Sequence, residues 1–194
     1  MIKPPVPQEI NRANLLRMSA LLAGLEHFAF FGTLLGLVRD GDVIATDDDV
    51  DLYVHEKDRD RALSVLSGNG VTIESDVFPN TTPYFTQCIV PHGDLSSYVD
   101  LYFFEADAGQ DQIVERWNFL GRPEDPDRTL HTPRDLVYPL QPRRFFGHAL
   151  NLPAHPEAVC AHLYGDDWRT PKAKGVDYKI AIRNNKPCLL KLPE

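Results

Sequence analysis

Ala45-Thr46-Asp47-Asp48-Asp49-Val50-Asp51-Leu52-Tyr53-Val54 puts four carboxylates into five residues and then turns into an apolar, β-prone segment. From Asp49 onwards acidic and apolar residues alternate, the period of a strand whose two faces differ. Asp49 and Asp51 therefore share one face, while Val50 and Leu52 point to the core. At about 4 Å and an effective dielectric of about 20, each like-charge pair costs on the order of 4 kcal/mol. Such a cluster on a strand calls for protonation, separation by solvent or a bound cation, and we read it as a cation site.

Working outward, the upstream run Phe28-Ala29-Phe30-Phe31 is all apolar and reads as a buried strand, followed by a tight turn at Gly32-Thr33. A short helix is predicted from Thr33 to Arg39, capped by Thr33 and closed before Gly41. Before it, Glu9 to Ala23 carries Ile10, Ala13, Leu16 (or Leu15), Ala20 and Leu21 at helical spacing, with Asn11, Arg12, Asn14 and Arg17 on the wet face. Downstream, Lys57 to Leu66 reads as a helix, and Val71–Ser75, Tyr84–Val90 and Tyr98–Phe104 as strands. Pro91-His92-Gly93-Asp94 supplies a turn between the last two. The order is α, β, short α, β, α and then an antiparallel meander. Gly109 to Arg144 reads as long loops, Phe145 to Leu152 as one strand, and Pro156 to Tyr164 as a helix opened by Pro-Glu. The tail after Trp168 has no clear period.

The 194 residues suffice for one full core, and 43% apolar with 25% charged residues is ordinary for a globular domain. A net charge of -8 repels a nucleic-acid backbone or an anionic membrane, and no lysine- or arginine-rich block offsets it. A nucleic-acid partner is therefore not expected. Cys88, Cys160 and Cys188 form no C-x-x-C pair, which indicates neither a disulfide framework nor structural zinc and suits free thiols in a reducing cytoplasm. Met1-Ile2-Lys3-Pro4-Pro5 carries no export signal, and no stretch approaches the roughly 18 apolar residues of a membrane span. We expect a cytoplasmic protein, with Asn80-Thr81-Thr82 a chance match to a glycosylation acceptor.

Asp100, in Tyr98-Val99-Asp100-Leu101-Tyr102, is another acid inside an apolar strand, where an unpaired carboxylate is expensive. If that strand neighbours Asp49–His55, three acids converge. Ligation by carboxylates alone favours Mg²⁺ or Mn²⁺, one ion or two, in a phosphoryl transfer. Gly32-Thr33 would offer free backbone N–H groups to a phosphate, and Arg39 would add charge-assisted hydrogen bonds. A calcium loop starting at Asp47 fails, because Leu52 stands where its glycine is required. The Asp-x-Asp of a nucleotide-sugar glycosyltransferase fits Asp49 and Asp51, but the βα series expected upstream is too short. His92, His131, His148, His155 and His162 lack a shared-metal spacing and read as solvated or structural. Arg143-Arg144 reads as a solvated strand end before a phosphate contact. Trp117 and Trp168 either stack on a base or sugar or pack in the core, and Lys172 and Lys174 reach a donor phosphate only if the tail folds over the site.

Phe31-Gly32-Thr33-Leu34-Leu35-Gly36-Leu37-Val38-Arg39-Asp40-Gly41, then Ile44 and Asp47-Asp48-Asp49-Val50-Asp51, resembles the LicD family, which includes the fukutin-related proteins and belongs to the nucleotidyltransferase-fold superfamily. Val99-Asp100-Leu101 resembles its third acidic position, and Leu163-Tyr164-Gly165-Asp166-Asp167-Trp168 with Pro171 its C-terminal signature. Ala45-Thr46 stands where the family usually carries Pro-Trp. The resemblance spans about residues 9–171 of a single domain covering 1–194, with 172–194 as a tail. It implies a nucleotidyltransferase-like α/β (α+β) fold, a mixed, mostly antiparallel sheet flanked by helices.

It also implies a metal-dependent phosphotransferase that moves a phospho-alcohol, such as phosphocholine or a polyol phosphate, from a CDP-linked donor to a sugar or glycan hydroxyl. By resemblance Asp49, Asp51 and Asp100 carry the metal, and Asp100 accepts the proton of the attacking hydroxyl. Substrate-binding roles fall to Gly32, Thr33, Arg39, Asp47, Asp48, Tyr164, Gly165 and Trp168. Two alternatives stay open: transfer of NMP from NTP to a small molecule or protein, and a non-catalytic nucleotide-binding or toxin–antitoxin module. Retention of all three acids argues against the latter.

Overall fold

The structure is a computed structural model that describes residues 6–74, 84–93, 95–107, 109, 111–116, 129–172, 178–183 and 186–191. Asn80-Thr81-Thr82, Trp117 and Lys174 lie outside the described residues. Strand β2 (Asp49–His55) sits inside the main sheet, antiparallel to β1 (His27–Ala29) and parallel to β5 (Leu95–Asp107). A strand paired on both edges and covered on both faces must be apolar along its length. Val50 and Leu52 to Val54 meet that demand, and Asp51 is buried with them.

Between β2 and β5 the chain makes a 3₁₀ turn (Glu56–Asp58), helix α3 (Arg59–Gly68), and strands β3 (Thr72–Glu74) and β4 (Phe85–His92). Antiparallel pairing of β3 with β4 and of β4 with β5 forms the predicted meander, in the order β1-β2-β5-β4-β3. The sheet is mixed and mostly antiparallel, as the sequence implies.

Strand β5 serves two partners along one edge. It pairs with β4 up to Tyr102 and from Phe104 onwards with β6 (Gln112–Glu115), which pairs in turn with β7 (Leu130–Pro133). The region read as loops, Gly109 to Arg144, thus contains β6, β7, helix α4 (Arg134–Val137) and most of a further strand that ends at Phe145. Strands of four residues are too short to show a period, and only the pairing of β6 onto β5 and of β7 onto β6 makes them visible.

Phe145 to Leu152, expected as one strand, instead forms parts of a hairpin, β8 (Gln141–Phe145) and β9 (His148–Leu152). Phe146 (φ 52°) and Gly147 (φ 80°) make the two-residue turn, and φ above zero at both centres suits the right-handed strand twist. A phenylalanine at that position gives no turn signal in sequence. The tail also holds a hairpin, β10 (Tyr178–Arg183) with β11 (Lys186–Lys191).

Helix α1 (Gln8–Leu21) forms where expected, with Leu15 buried and Leu16 and Leu21 packed on the core, but its buried face is rotated to take in two of the residues expected on the wet side. Asn11 and Asn14 are buried beside Leu15 and Met18, whereas Ala13 and Ala20 are exposed. Buried amides need partners, and both have one: Asn11 Nδ2 donates to the Asp47 carbonyl (3.1 Å) and Asn14 Nδ2 to Ser97 Oγ (2.7 Å). Helix α2 (Phe31–Arg39) packs on β2 and on α5 (Pro156–Tyr164), whose range is the one predicted. Beneath α2, rings of Phe28, Phe30, Phe31, Tyr53, Tyr102 and Phe104 form a continuous cluster, with Phe30 stacked on Tyr53 at 3.9 Å. Such pairs add about 0.5–1.5 kcal/mol each beyond area burial and fix where α2 meets the sheet.

Candidate active site

Helix α2 starts at Phe31, two residues before the predicted start, with Phe30 at the N-cap and no side-chain cap. Phe31 has φ 41°, in the left-handed region, which costs a bulky residue of order 1–3 kcal/mol. Edge-to-face packing against Phe30, Tyr53 and Tyr102, with centroids 5.0–5.6 Å away, holds it there. That turn sends the Gly32 N–H to Asp51 Oδ2 (3.0 Å). Thr33 Oγ1 accepts the Asp51 N–H (2.8 Å), and the Phe30 N–H reaches the Asp51 carbonyl (3.3 Å). Thr33 is therefore no helix cap. The Gly-Thr turn, expected to keep its N–H groups free for a phosphate, spends the Gly32 N–H on fastening β2 to the start of α2 at Asp51.

The parallel register sets Asp51 beside Asp100, and Asp49 lies two residues earlier on the same face. Asp49, Asp51 and Asp100 each offer a carboxylate oxygen, all within 4.8 Å of one another. Asp51 and Asp100 are 7% exposed and Asp49 is half-buried. The convergence anticipated from the sequence is thus present. Asp47 and Asp48, both half-buried, form a second group of the same spacing with Asp49, which belongs to both. Three hard oxygen donors at this spacing fit a divalent cation such as Mg²⁺ or Mn²⁺.

Two residues that the sequence reading passed over touch these acids. Gln87 Nε2 donates to Asp100 Oδ1 (2.7 Å) from the paired position on β4, and the Tyr102 hydroxyl donates to Asp51 Oδ1 (3.3 Å). Burial first, then Asp51, Asp100 and Asp49, holds the Tyr102 phenol far above its ordinary range, so it stays a donor. Burial, with Asp100 as the lesser cause, pushes the Cys88 thiol up to about 12 and makes it inert. Tyr102 had a signal: it falls two residues after Asp100, on the same face of an apolar strand. Gln87 had a weaker one, a lone amide in Phe85-Thr86-Gln87-Cys88-Ile89-Val90.

The loop that brings Asp47 to the site is braced by α1. Gln8 Nε2 donates to the Val43 carbonyl (2.7 Å), Asn11 Nδ2 and the Val6 N–H to the Asp47 carbonyl, and Arg12 pairs with Asp42. Two glycines let α2 approach that loop. A Cβ on Gly32 would stand 2.6 Å from Asp47 Oδ2, and one on Gly36 2.6 Å from the Asp42 carbonyl oxygen.

Other predicted residues lie elsewhere. Arg39 ends α2, roughly 10 Å from Gly32 at about 1.5 Å per residue, and its guanidinium is bidentate to Asp40 (2.8 and 2.7 Å). Tyr164 is buried at the C-terminus of α5, and Gly165 (φ 83°) follows it. Trp168 is 5% exposed within the hydrophobic core, with the Arg169 guanidinium 4.0 Å over its ring, so it takes the packing role of its two readings. Lys172 pairs with Asp167, and Arg143 with Glu157 at 3.8 Å. His162 Nε2 bonds the His131 carbonyl (3.0 Å), a structural histidine.

An Asp-x-Asp strand parallel to a second acid-bearing strand, with a glycine-led helix fastened to its first turn, defines a nucleotidyltransferase-fold protein. A lincosamide antibiotic adenylyltransferase solved with lincomycin shares this fold, with TM-score 0.52 at 12% identity over 84% of this chain and 90% of that one. A Thermotoga maritima protein described as a nucleotidyltransferase aligns at TM-score 0.44 and 12% identity, over 77% of this chain and 80% of its own. The family model described as LicD/FKTN/FKRP, nucleotidyltransferase domain, matches residues 24–155, and the protein belongs to that family. No curated protein matches it in sequence.

Proposed function

We propose that the protein is a divalent-metal-dependent phosphotransferase that moves a phospho-alcohol from a CDP-linked donor to a sugar or glycan hydroxyl. The observation that carries this reading is the in-register pair Asp51 and Asp100 with Asp49 on the same face. Asp49, Asp51 and Asp100 are the residues to hold Mg²⁺ or Mn²⁺, which supplies charge neutralisation at the pyrophosphate oxygens.

The acceptor hydroxyl attacks the phosphorus that bears the alcohol. A new P–O bond forms, the pyrophosphate bond breaks, and CMP leaves with the bridging oxygen and its electrons. Asp100 accepts the hydroxyl proton. Asp51 is less suited to that task, because the Gly32 N–H and the Tyr102 hydroxyl already hold both of its oxygens as a carboxylate. Asp47 and Asp48, at the half-buried rim, suit donor orientation. With Arg39 paired to Asp40 and Trp168 in the core, donor contacts from either require rearrangement.

The test is product analysis. The protein is incubated with labelled CTP, CDP-choline, CDP-glycerol and CDP-ribitol, a panel of sugars and glycans, and Mg²⁺ or Mn²⁺. Metal-dependent CMP release from one CDP-alcohol, with label in the acceptor, is expected. Pyrophosphate release from CTP would replace this reading by nucleotidyl transfer, and no turnover of any donor would favour a binding module.

A further inference from the structure

We infer that Gln87 is the positioning residue for Asp100: its amide sets the rotation of that carboxylate and so completes the three-acid site. The inference rests on the reading of Asp100 as a metal ligand. In the β4–β5 register Gln87 lies directly opposite Asp100, and Nε2 donates to Oδ1 at 2.7 Å. Both side chains are buried, at 3% and 7% exposure. A glutamine inside a strand flanked by Phe85, Thr86, Cys88 and Val90, all buried, needs a reason, and a buried amide without a partner is costly.

The terminal torsion of an aspartate is broad and roughly two-fold, so the strand alone leaves the Asp100 carboxylate plane loosely set. One short hydrogen bond to Oδ1 fixes it and thereby fixes which oxygen faces Asp49 and Asp51. The chemistry of the donor matters as much as its place. Lysine or arginine there would neutralise Asp100 and repel a cation, whereas an amide orients the carboxylate without adding charge. The donors described on Asp51, the Gly32 N–H and the Tyr102 hydroxyl, are neutral as well. The outer hydrogen bonds of metal-ligating carboxylates act in this way, and their loss typically costs about 10–100-fold in metal affinity or activity.

The test uses Mn²⁺ alone, titrated by calorimetry and by the loss of its free EPR signal, against wild type, Gln87→Met, Gln87→Leu and Asp100→Asn, with each melting temperature. Gln87→Met keeps the length and loses the donor. The expected result is a dissociation constant about 10–100-fold weaker in both Gln87 variants, without unfolding. Wild-type affinity in a folded Gln87 variant overturns the inference. If wild type binds Mn²⁺ but Asp100→Asn binds it equally well, or if wild type does not bind it, the parent reading has failed and takes the role of Gln87 with it.

A second measurement needs no variant. Mg²⁺ added to ¹⁵N-labelled wild type should shift the Gln87 side-chain amide signal with the same midpoint as the Asp49 and Asp51 backbone amides. A Gln87 signal that stays still while those move overturns the inference.

Discussion

Gly32→Ala separates positioning from folding at this site. An added Cβ would stand 2.6 Å from Asp47 Oδ2 and 3.3 Å from Asp51 Oδ2. Carbon contacts are comfortable near 3.5 Å, so the Asp47 carboxylate must retreat by about 0.9 Å while Asp51 yields by a few tenths. Asp47 can do so, because its carboxylate is the end of a half-buried side chain. Overpacking costs about 1–3 kcal/mol, and replacing glycine by alanine in a helix returns up to about 1 kcal/mol. The net is on the order of 1 kcal/mol, or roughly 2–4 °C in melting temperature for a domain of this size. Misplacing a group that orients the donor by about 1 Å can cost on the order of 10²-fold in rate. Differential scanning fluorimetry beside CMP release should therefore show a nearly normal fold with turnover down by about that factor. A rate within threefold of wild type would refute the reasoning. A melting temperature lowered by more than about 10 °C would do so too, because Gly32 would then be serving the fold first.

The neighbouring glycine should behave oppositely. In Gly36→Ala the new Cβ meets the Asp42 carbonyl oxygen at 2.6 Å and the Ile44 nitrogen at 2.9 Å, backbone atoms that cannot swing aside, so a clear loss of stability is expected in a urea titration. Asn11→Leu, which removes a buried donor to the Asp47 carbonyl, should lower stability by about 1–3 kcal/mol; Arg12→Ala, breaking a partly exposed pair with Asp42, should cost less than about 1 kcal/mol. Equal urea midpoints for the two variants would contradict the bracing role given to α1. Stability should also fall as pH drops below about 6.5, because buried His27 and half-buried His162 are each held below the ordinary range chiefly by desolvation. The unfolded chain binds those protons first, so stability is intact above the unfolded value and is lost as pH falls towards the folded ones. Melting temperatures at pH 7.5 and 5.5 check this, and a rise at pH 5.5 would contradict it.

The site was legible where chemistry left a local pattern. Asp49 and Asp51 stand two apart entering an apolar strand, and Asp100 sits alone in another, so their convergence needed only the assumption that the strands are neighbours. Helix α5 could be bounded because Pro156 occupies a first-turn position that tolerates proline. The rest depended on partners remote in sequence. The buried face of helix α1 differs from the expected one at Asn11 and Asn14, which look polar until Asp47 and Ser97 take their hydrogen bonds. Thr33 has the residue type that usually caps a helix, but its hydroxyl accepts the Asp51 N–H instead. Gln87 became a site residue only once the β4–β5 register placed it opposite Asp100.

The central claim is that Asp49, Asp51 and Asp100 together hold a divalent cation. Crystals soaked in MnCl₂ and measured at the manganese edge test it directly through the anomalous difference map. The account predicts a peak within coordination distance of all three carboxylates, at roughly 2.0–2.3 Å from their oxygens, lost in Asp100→Asn. No peak there, or one held by Asp47 and Asp48 without Asp51 and Asp100, would contradict it.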